Sequence, residues 1–395
     1  MAINIKNIED AIQRKAYAVD SSTSVNDLSD MVEAALLITG GLKEYADSAE
    51  LPTAATSNDK IAFVKDQKAI RFNNGKIWAG TASGEVTTPG PSGPSTPVFA
   101  GTNYGYSMGG GSSPYTKNVD NYPFASDADA TNVGTLTNPS SSAVWTGNGG
   151  GSDTHGYYIG GTPRSPEQAD IEKFPYAAAA SITVTDTGNN LVPGIMRYPH
   201  YQMCGDRTNI YNQGGYTGPG YPALAYTNTI YKFAASSDGS SITNSADMTV
   251  TRGLLASATS DTHIYAMGGN PSTNVIDKTS LVGDDNSTDV GDLLTSIYGL
   301  GGHSSSTHGY ATGAQPISNV IQKFSFTTDE NATDVGDLAT PTGYAADASS
   351  STHGYKAGGS PNINVIQKFS FTADENGTDV GDLAFARRAN AGTHY

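Results

Sequence analysis

Only one cysteine, Cys204, and two tryptophans occur in 395 residues, and Lys and Arg number 22 against 38 Asp and Glu. Each scarcity excludes something. A lone cysteine rules out an intrachain disulfide and any cage built from several thiolates. A formal charge of −16 argues against a nucleic-acid partner, because neutralising phosphates takes clustered Lys and Arg. No stretch approaches the roughly 18 consecutive apolar residues of a membrane-spanning helix, so membrane insertion is not expected. The opening Met1-Ala2-Ile3-Asn4-Ile5-Lys6 lacks the charged-then-apolar order of a secretory signal, and synthesis in a cytoplasm is the expectation. Charged residues make up 15%, while 46 Gly and 22 Tyr point to many turns and hydroxyl-rich surfaces.

What the chain does contain is a phrase repeated with small changes. Thr352-His353-Gly354-Tyr355-Lys356-Ala357-Gly358-Gly359 is followed by Asn364-Val365-Ile366-Gln367-Lys368-Phe369 and then Thr378-Asp379-Val380-Gly381-Asp382-Leu383. The same three phrases recur 45 residues earlier from Thr307, and 45 earlier again from Thr262. More diverged copies lie upstream, so the His position is marked by Tyr104, His155, Asn209, His263, His308 and His353. A seventh marker, His394, sits at the C-terminal end. A fixed period of this size means one supersecondary unit copied and stacked.

Each copy reads as four short antiparallel strands separated by turn residues, placed in the last full copy near 344–349, 353–357, 365–371 and 380–384. The Gly-Gly pair closes the second strand, and the Asp-Glu-Asn run supplies turn chemistry between the outer strands. Four strands per unit at this period predict a mainly β protein, a six-bladed β-propeller. Residues 387–395 repeat only the first strand of a unit, while the first copy begins at its second strand. A C-terminal strand completing the first blade would close the ring and remove two unpaired edges.

These copies resemble the kelch repeat: an apolar strand ending in Gly-Gly, an aromatic-bearing strand, then a variable loop. The resemblance covers residues 98–395 and lacks the Trp expected late in each repeat, Trp145 being the only one in the region. It implies a relative within the broad kelch and galactose-oxidase-like propellers.

The N-terminal part is a different object. Residues 1–50 show helical spacing, with Ile5, Ile8 and Ile12 in one segment and Val25, Leu28, Val32, Ala35 and Leu36 in another. Ser24 is placed to cap the second, and Gly40-Gly41 to stop it. Two such helices need a partner for their apolar stripes, either the rest of the chain or copies of themselves. Residues 51–80 switch to period two and predict a three-stranded β-meander turning at Asn73-Asn74-Gly75, and residues 81–97 form a Pro/Gly/Ser linker. The run from Leu51-Pro52 through Ile61-Ala62-Phe63-Val64 to Asn74-Gly75-Lys76-Ile77-Trp78 resembles a small module of tailed-bacteriophage virion proteins. That resemblance implies a virion component attached by its N-terminus, with a variable distal domain displayed outward.

Several residues invite chemistry. His155, His263, His308, His353 and His394 share one repeat position, so a ring of metal ligands on the axis is one reading. A tie to the neighbouring strand or turn is the reading preferred, since Tyr104 and Asn209 break the set. The acidic turns at 284–289, 329–334 and 374–379 carry oxygen ligands suited to Ca²⁺, but they lack the distal bidentate Glu of an EF-hand. A turn role is expected of them. The galactose-oxidase resemblance implies copper with two histidines and a Tyr-Cys crosslink, yet Cys204 has only Tyr201 and His200 nearby in sequence. Ser236-Ser237-Asp238-Gly239-Ser240-Ser241 is similar to the Asp-box of sialidase propellers without its Trp. No catalytic residue, metal or cofactor is expected. The long insertions lie at 162–170 and 216–226, and Tyr216, Tyr221 and Tyr226 are selected as contact residues for a sugar or protein.

The expectation is a bacteriophage virion structural protein, a tail-fibre or appendage subunit assembled in the host cytoplasm. Its N-terminus would contact other virion proteins and drive homo-oligomerisation, and its propeller would meet a host-surface glycan or protein. A capsid decoration or head-fibre protein is the alternative within virions, and a carbohydrate-active propeller enzyme the alternative outside them.

Overall fold

The computed structural model describes residues 103–111, 116–137, 145–162, 170–176, 181–191, 201–217 and 225–393, with strands at 43–45, 61–64, 69–73, 78–81 and 196–198. The chain divides into two compact units, Met1–Ser95 and Thr96–Tyr395.

The larger unit is a six-bladed β-propeller. Blades 4, 5 and 6 are regular antiparallel sheets with strands in chain order from the axis outward. Blade 6 runs Ala346–Ser349, His353–Ala357, Val365–Ser370 and Thr378–Asp382. Blade 1 is composite: Ala391–Gly392 pairs antiparallel with Tyr104–Met108, Gly392 opposite Ser107, and the sheet continues through Asn118–Pro123 and Thr131–Thr135. The last strand of the chain therefore closes the ring, as the truncated final repeat predicts. Blades 2 and 3 are less regular. Tyr201–Gln202 adds in parallel to the inner strand Trp145–Gly151 of blade 2, and the inner edge of blade 3 is split between Met196–Tyr198 and Cys204–Gly205.

Small residues dominate the inner strands because those strands crowd the axis. Ala256, Ala258, Ala346, Ala348 and Ala391 are buried, and a Cβ on Gly392 would lie 2.0 Å from the Asp347 carbonyl oxygen. Inner hydroxyls tie neighbouring blades together: Ser304 Oγ accepts from Thr259 N at 2.8 Å and Ser349 Oγ from Ser304 N at 3.3 Å.

Aromatic rings cross the seams between blades. The tyrosine two residues past the marker position packs on a ring from the next blade: Tyr265 on Phe326 at 4.9 Å, Tyr310 on Phe371 at 4.8 Å, Tyr355 on Phe124 at 4.6 Å and Tyr106 on Tyr176 at 5.5 Å. Each such pair is worth about 0.5–1.5 kcal/mol beyond its buried area.

The acidic turns are latches between blades. Asp374 Oδ1 accepts from Lys323 Nζ at 2.5 Å, Asn376 Oδ1 accepts from Asp337 N at 3.0 Å, and Gly377 N donates to Asp337 O at 2.7 Å. The same Lys–Asp contact joins Lys278 to Asp329, Lys232 to Asp284, Lys173 to Asp238 and, across the closure, Lys368 to Asp127. Gly336 makes room for this: a Cβ there would meet the Glu375 carbonyl oxygen at 2.6 Å. A buried ion pair braces the closure. Arg387, from the C-terminal segment, holds Asp120 of blade 1 at 2.8 Å, repeating the Arg252–Asp277 pair of blade 4 at 2.8 Å.

In the smaller unit, Ile61–Val64, Ala69–Asn73 and Trp78–Thr81 pair antiparallel in succession. Lys43–Tyr45, past the Gly40-Gly41 stop, joins this sheet in parallel with Ile61–Val64 as a fourth strand beyond the expected three-stranded meander. A β-branch-poor triplet gains its ladder from the neighbouring strand. The two expected helices lie outside the described residues.

Candidate functional site

The connections that carry the chain from one blade to the next meet around the axis on one face. Gly299 N donates to Leu254 O at 2.8 Å, Tyr344 N to Gly299 O at 2.8 Å, and Ala389 N to Tyr344 O at 2.7 Å. Each of these residues adopts a left-handed backbone, with φ of 55° at Leu254, 63° at Gly299, 55° at Tyr344 and 56° at Ala389. Only one of the four is glycine. The other three carry the cost of a Cβ in that region, about 1–2 kcal/mol each, and the chain of amide bonds holds them there.

This arc turns tyrosines toward the mouth of the ring. Tyr298 and Tyr344 are half-buried with ring centroids 6.4 Å apart. Blade 3 contributes a second pair through its hairpin, whose strands Asn209–Thr217 and Ala225–Ala234 set Tyr216 directly opposite Tyr226. Their rings lie 4.4 Å apart and their hydroxyls 2.7 Å apart. The two pairs feel each other electrostatically. Burial, then the Tyr216 hydroxyl, then Tyr344 and Tyr298, push the Tyr226 phenol well above its ordinary range. Burial followed by Tyr298 and Tyr216 does the same to Tyr344, with Arg388 opposing. Tyr226 and Tyr344 thus keep their phenols protonated, and the four rings can stack on an apolar face and exchange hydrogen bonds.

Two of the three residues selected from sequence, Tyr216 and Tyr226, are thus brought together; Tyr221 lies outside the described residues. Tyr298, Tyr344 and Arg388 were missed. Their signal is a break in the repeat, since two register positions at 45-residue intervals, filled Gly253-Leu254, Tyr298-Gly299, Gly343-Tyr344 and Arg388-Ala389, change residue type from one blade to the next.

The other candidates are held differently. His155, His263, His308 and His353 each place Nδ1 2.8 Å from the hydroxyl of the preceding threonine. Their backbone amides donate to Ser152, Ser260, Ser305 and Ser350, so each histidine closes its own turn. Burial, then a nearby lysine, lowers all four pKa values. Cys204 is buried, its Sγ 3.8 Å from Gln213 Oε1, and burial pushes the thiol up to about 12. His200 and the Tyr201 side chain lie outside the described residues. Asp238, from the Asp-box-like run, is the latch partner of Lys173 rather than part of a separate motif. Among the described residues no group of three or more His, Cys, Asp or Glu side chains is placed to hold a metal ion.

No protein family and no curated protein matches this chain.

Proposed function

We propose that this protein is a bacteriophage virion structural component, a tail-fibre or appendage subunit whose propeller meets a host-surface glycan or a neighbouring subunit. The observation that carries the reading is the half-buried quartet Tyr216, Tyr226, Tyr298 and Tyr344 at the mouth of a braced ring. Rigid aromatic residues with hydroxyls give contact area at little entropic cost, which suits recognition of a surface. The virion context is supported by the resemblance of the Leu51-to-Trp78 run to a tailed-phage module. On this reading the N-terminal unit binds other virion proteins and associates with copies of itself.

Antibody labelling of purified particles by electron microscopy tests it. Label at the tail or its appendages is the expected result, and label over the capsid would favour the decoration reading. Absence from particles, with all of the protein in the unassembled fraction, would overturn both.

A further inference from the structure

The seam between blades 2 and 3 departs from the repeat in two places at once. The ring that packs on the preceding blade's tyrosine is Phe124, Tyr176, Phe326 or Phe371 at four junctions, and Leu281 packs beside Tyr211 at a fifth. At the junction with Tyr157 the same position is Ala235, which carries no ring, and its carbonyl accepts from the Tyr157 hydroxyl at 3.1 Å. A cleft of about 430 Å³ opens there. That volume falls within the ~300–1,000 Å³ of small-molecule sites.

The second departure is Arg207. Its counterparts in the turns between the first and second strands of the other blades are Asp153, Asp261, Ser306 and Ser351, and among these described residues only Arg207 has a left-handed backbone, φ 77°. Strain of this kind in a non-glycine residue persists where the surroundings enforce it, and it gathers at binding sites. Here it sets the guanidinium at the rim of the cleft, with Nε 3.4 Å from Asp153 Oδ1. Lys173, which holds Asp238 at 2.5 Å, and His155 also line the cleft. Each cation in the lining is matched by a carboxylate. Such walls offer both donors and acceptors with no net charge to satisfy, and Ala235 and the Tyr157 ring add apolar lining. A free anion or cation would have to displace an existing partner. A neutral ring bearing hydroxyls would not, since it can donate to the carboxylates and accept from the guanidinium.

We propose that this cleft binds one pyranose unit of an uncharged glycan, seated where the other junctions carry a side chain. The site lies between blades 2 and 3 and involves none of the tyrosines at the mouth of the ring, so it stands independently of the function proposed above.

The test is saturation-transfer NMR on the full chain with galactose, glucose, mannose and N-acetylglucosamine, and N-acetylneuraminate as the charged comparison. Binding of at least one neutral sugar is expected, reduced at least tenfold by Ala235→Phe, which restores the consensus ring. The melting temperature of that variant should be unchanged or higher, so a loss of binding cannot be ascribed to unfolding. Asp153→Asn should weaken the sugar signal. No binding by any neutral sugar, binding of N-acetylneuraminate alone, or equal binding by Ala235→Phe would each overturn the proposal.

Discussion

The two faces of this propeller are made from opposite ends of the same strands and do opposite work. One face carries the turns between the first and second strands and the acidic loops between the third and fourth, and its repeated side chains are spent on the molecule itself. Histidine, threonine and serine close each turn, while aspartate and asparagine clamp the neighbouring blade. The other face carries the blade-to-blade connections, where the backbone forms the arc around the axis and the side chains vary from blade to blade. Repetition therefore marks assembly, and departure from repetition marks candidate recognition. Tyr298, Tyr344 and Arg388 are departures of that kind, as are Ala235 and Arg207 on the first face.

The sharpest way to break this division is to remove a brace that the recognition chemistry does not touch. Arg387→Met leaves the buried Asp120 without its cation, and a cost of about 3–5 kcal/mol is expected. Chemical denaturation should show it as a large fall in the midpoint. Next in size is the latch itself. Gly336→Ala would drive a Cβ to 2.6 Å from the Glu375 carbonyl oxygen, and overpacking of this kind costs about 1–3 kcal/mol. Thermal unfolding should report it, with ligand contact at the opposite face unaffected once folded.

Much of this architecture was legible in advance, for a physical reason. Every blade must solve the same packing problem, so the 45-residue spacing of His263, His308 and His353 fixes the unit, and the half-repeat after residue 387 announces the closure. The latches were not legible as latches. Asp374 repeats because Lys323, in the previous blade, repeats with it, and a contact between copies looks in sequence like a property of each copy. Turn chemistry was all that the Asp-Glu-Asn run disclosed by itself. Tyr298 and Tyr344 were hidden because each is isolated in sequence and they meet only through the arc of left-handed residues. Lys43–Tyr45 was not foreseen as a strand because three residues have too few positions to show a period.

Smaller effects separate the faces further. Tyr226→Phe removes the 2.7 Å hydroxyl contact with Tyr216 and should cost about 0.5–1.5 kcal/mol in stability. Adsorption to the host surface should fall by more than that loss explains, measured as particle or protein binding to cells. On the latch face, the four turn histidines have folded pKa values below that of the free side chain, chiefly through burial. The unfolded chain therefore takes up more protons, and stability is full above pH of about 6.5 and declines as pH falls through that value. Asn209 fills the same position in blade 3 with hydrogen bonds to Asp206, so His263→Asn, His308→Asn and His353→Asn together should preserve the fold. Melting temperatures of that triple variant should vary less between pH 7.5 and 5.5, at roughly the spacing where a free histidine titrates.

Both faces exist only if one polypeptide closes the ring on itself, and a paired-cysteine crosslink measures this directly. Met108 and Ala391 lie opposite each other in the closing sheet, within the reach of a disulfide. In a Cys204→Ala background, Met108→Cys with Ala391→Cys should oxidise to a monomeric species that migrates faster on a denaturing gel without reductant. Disulfide-linked dimers or longer chains would show that the last strand completes another molecule's first blade, contradicting the closed ring.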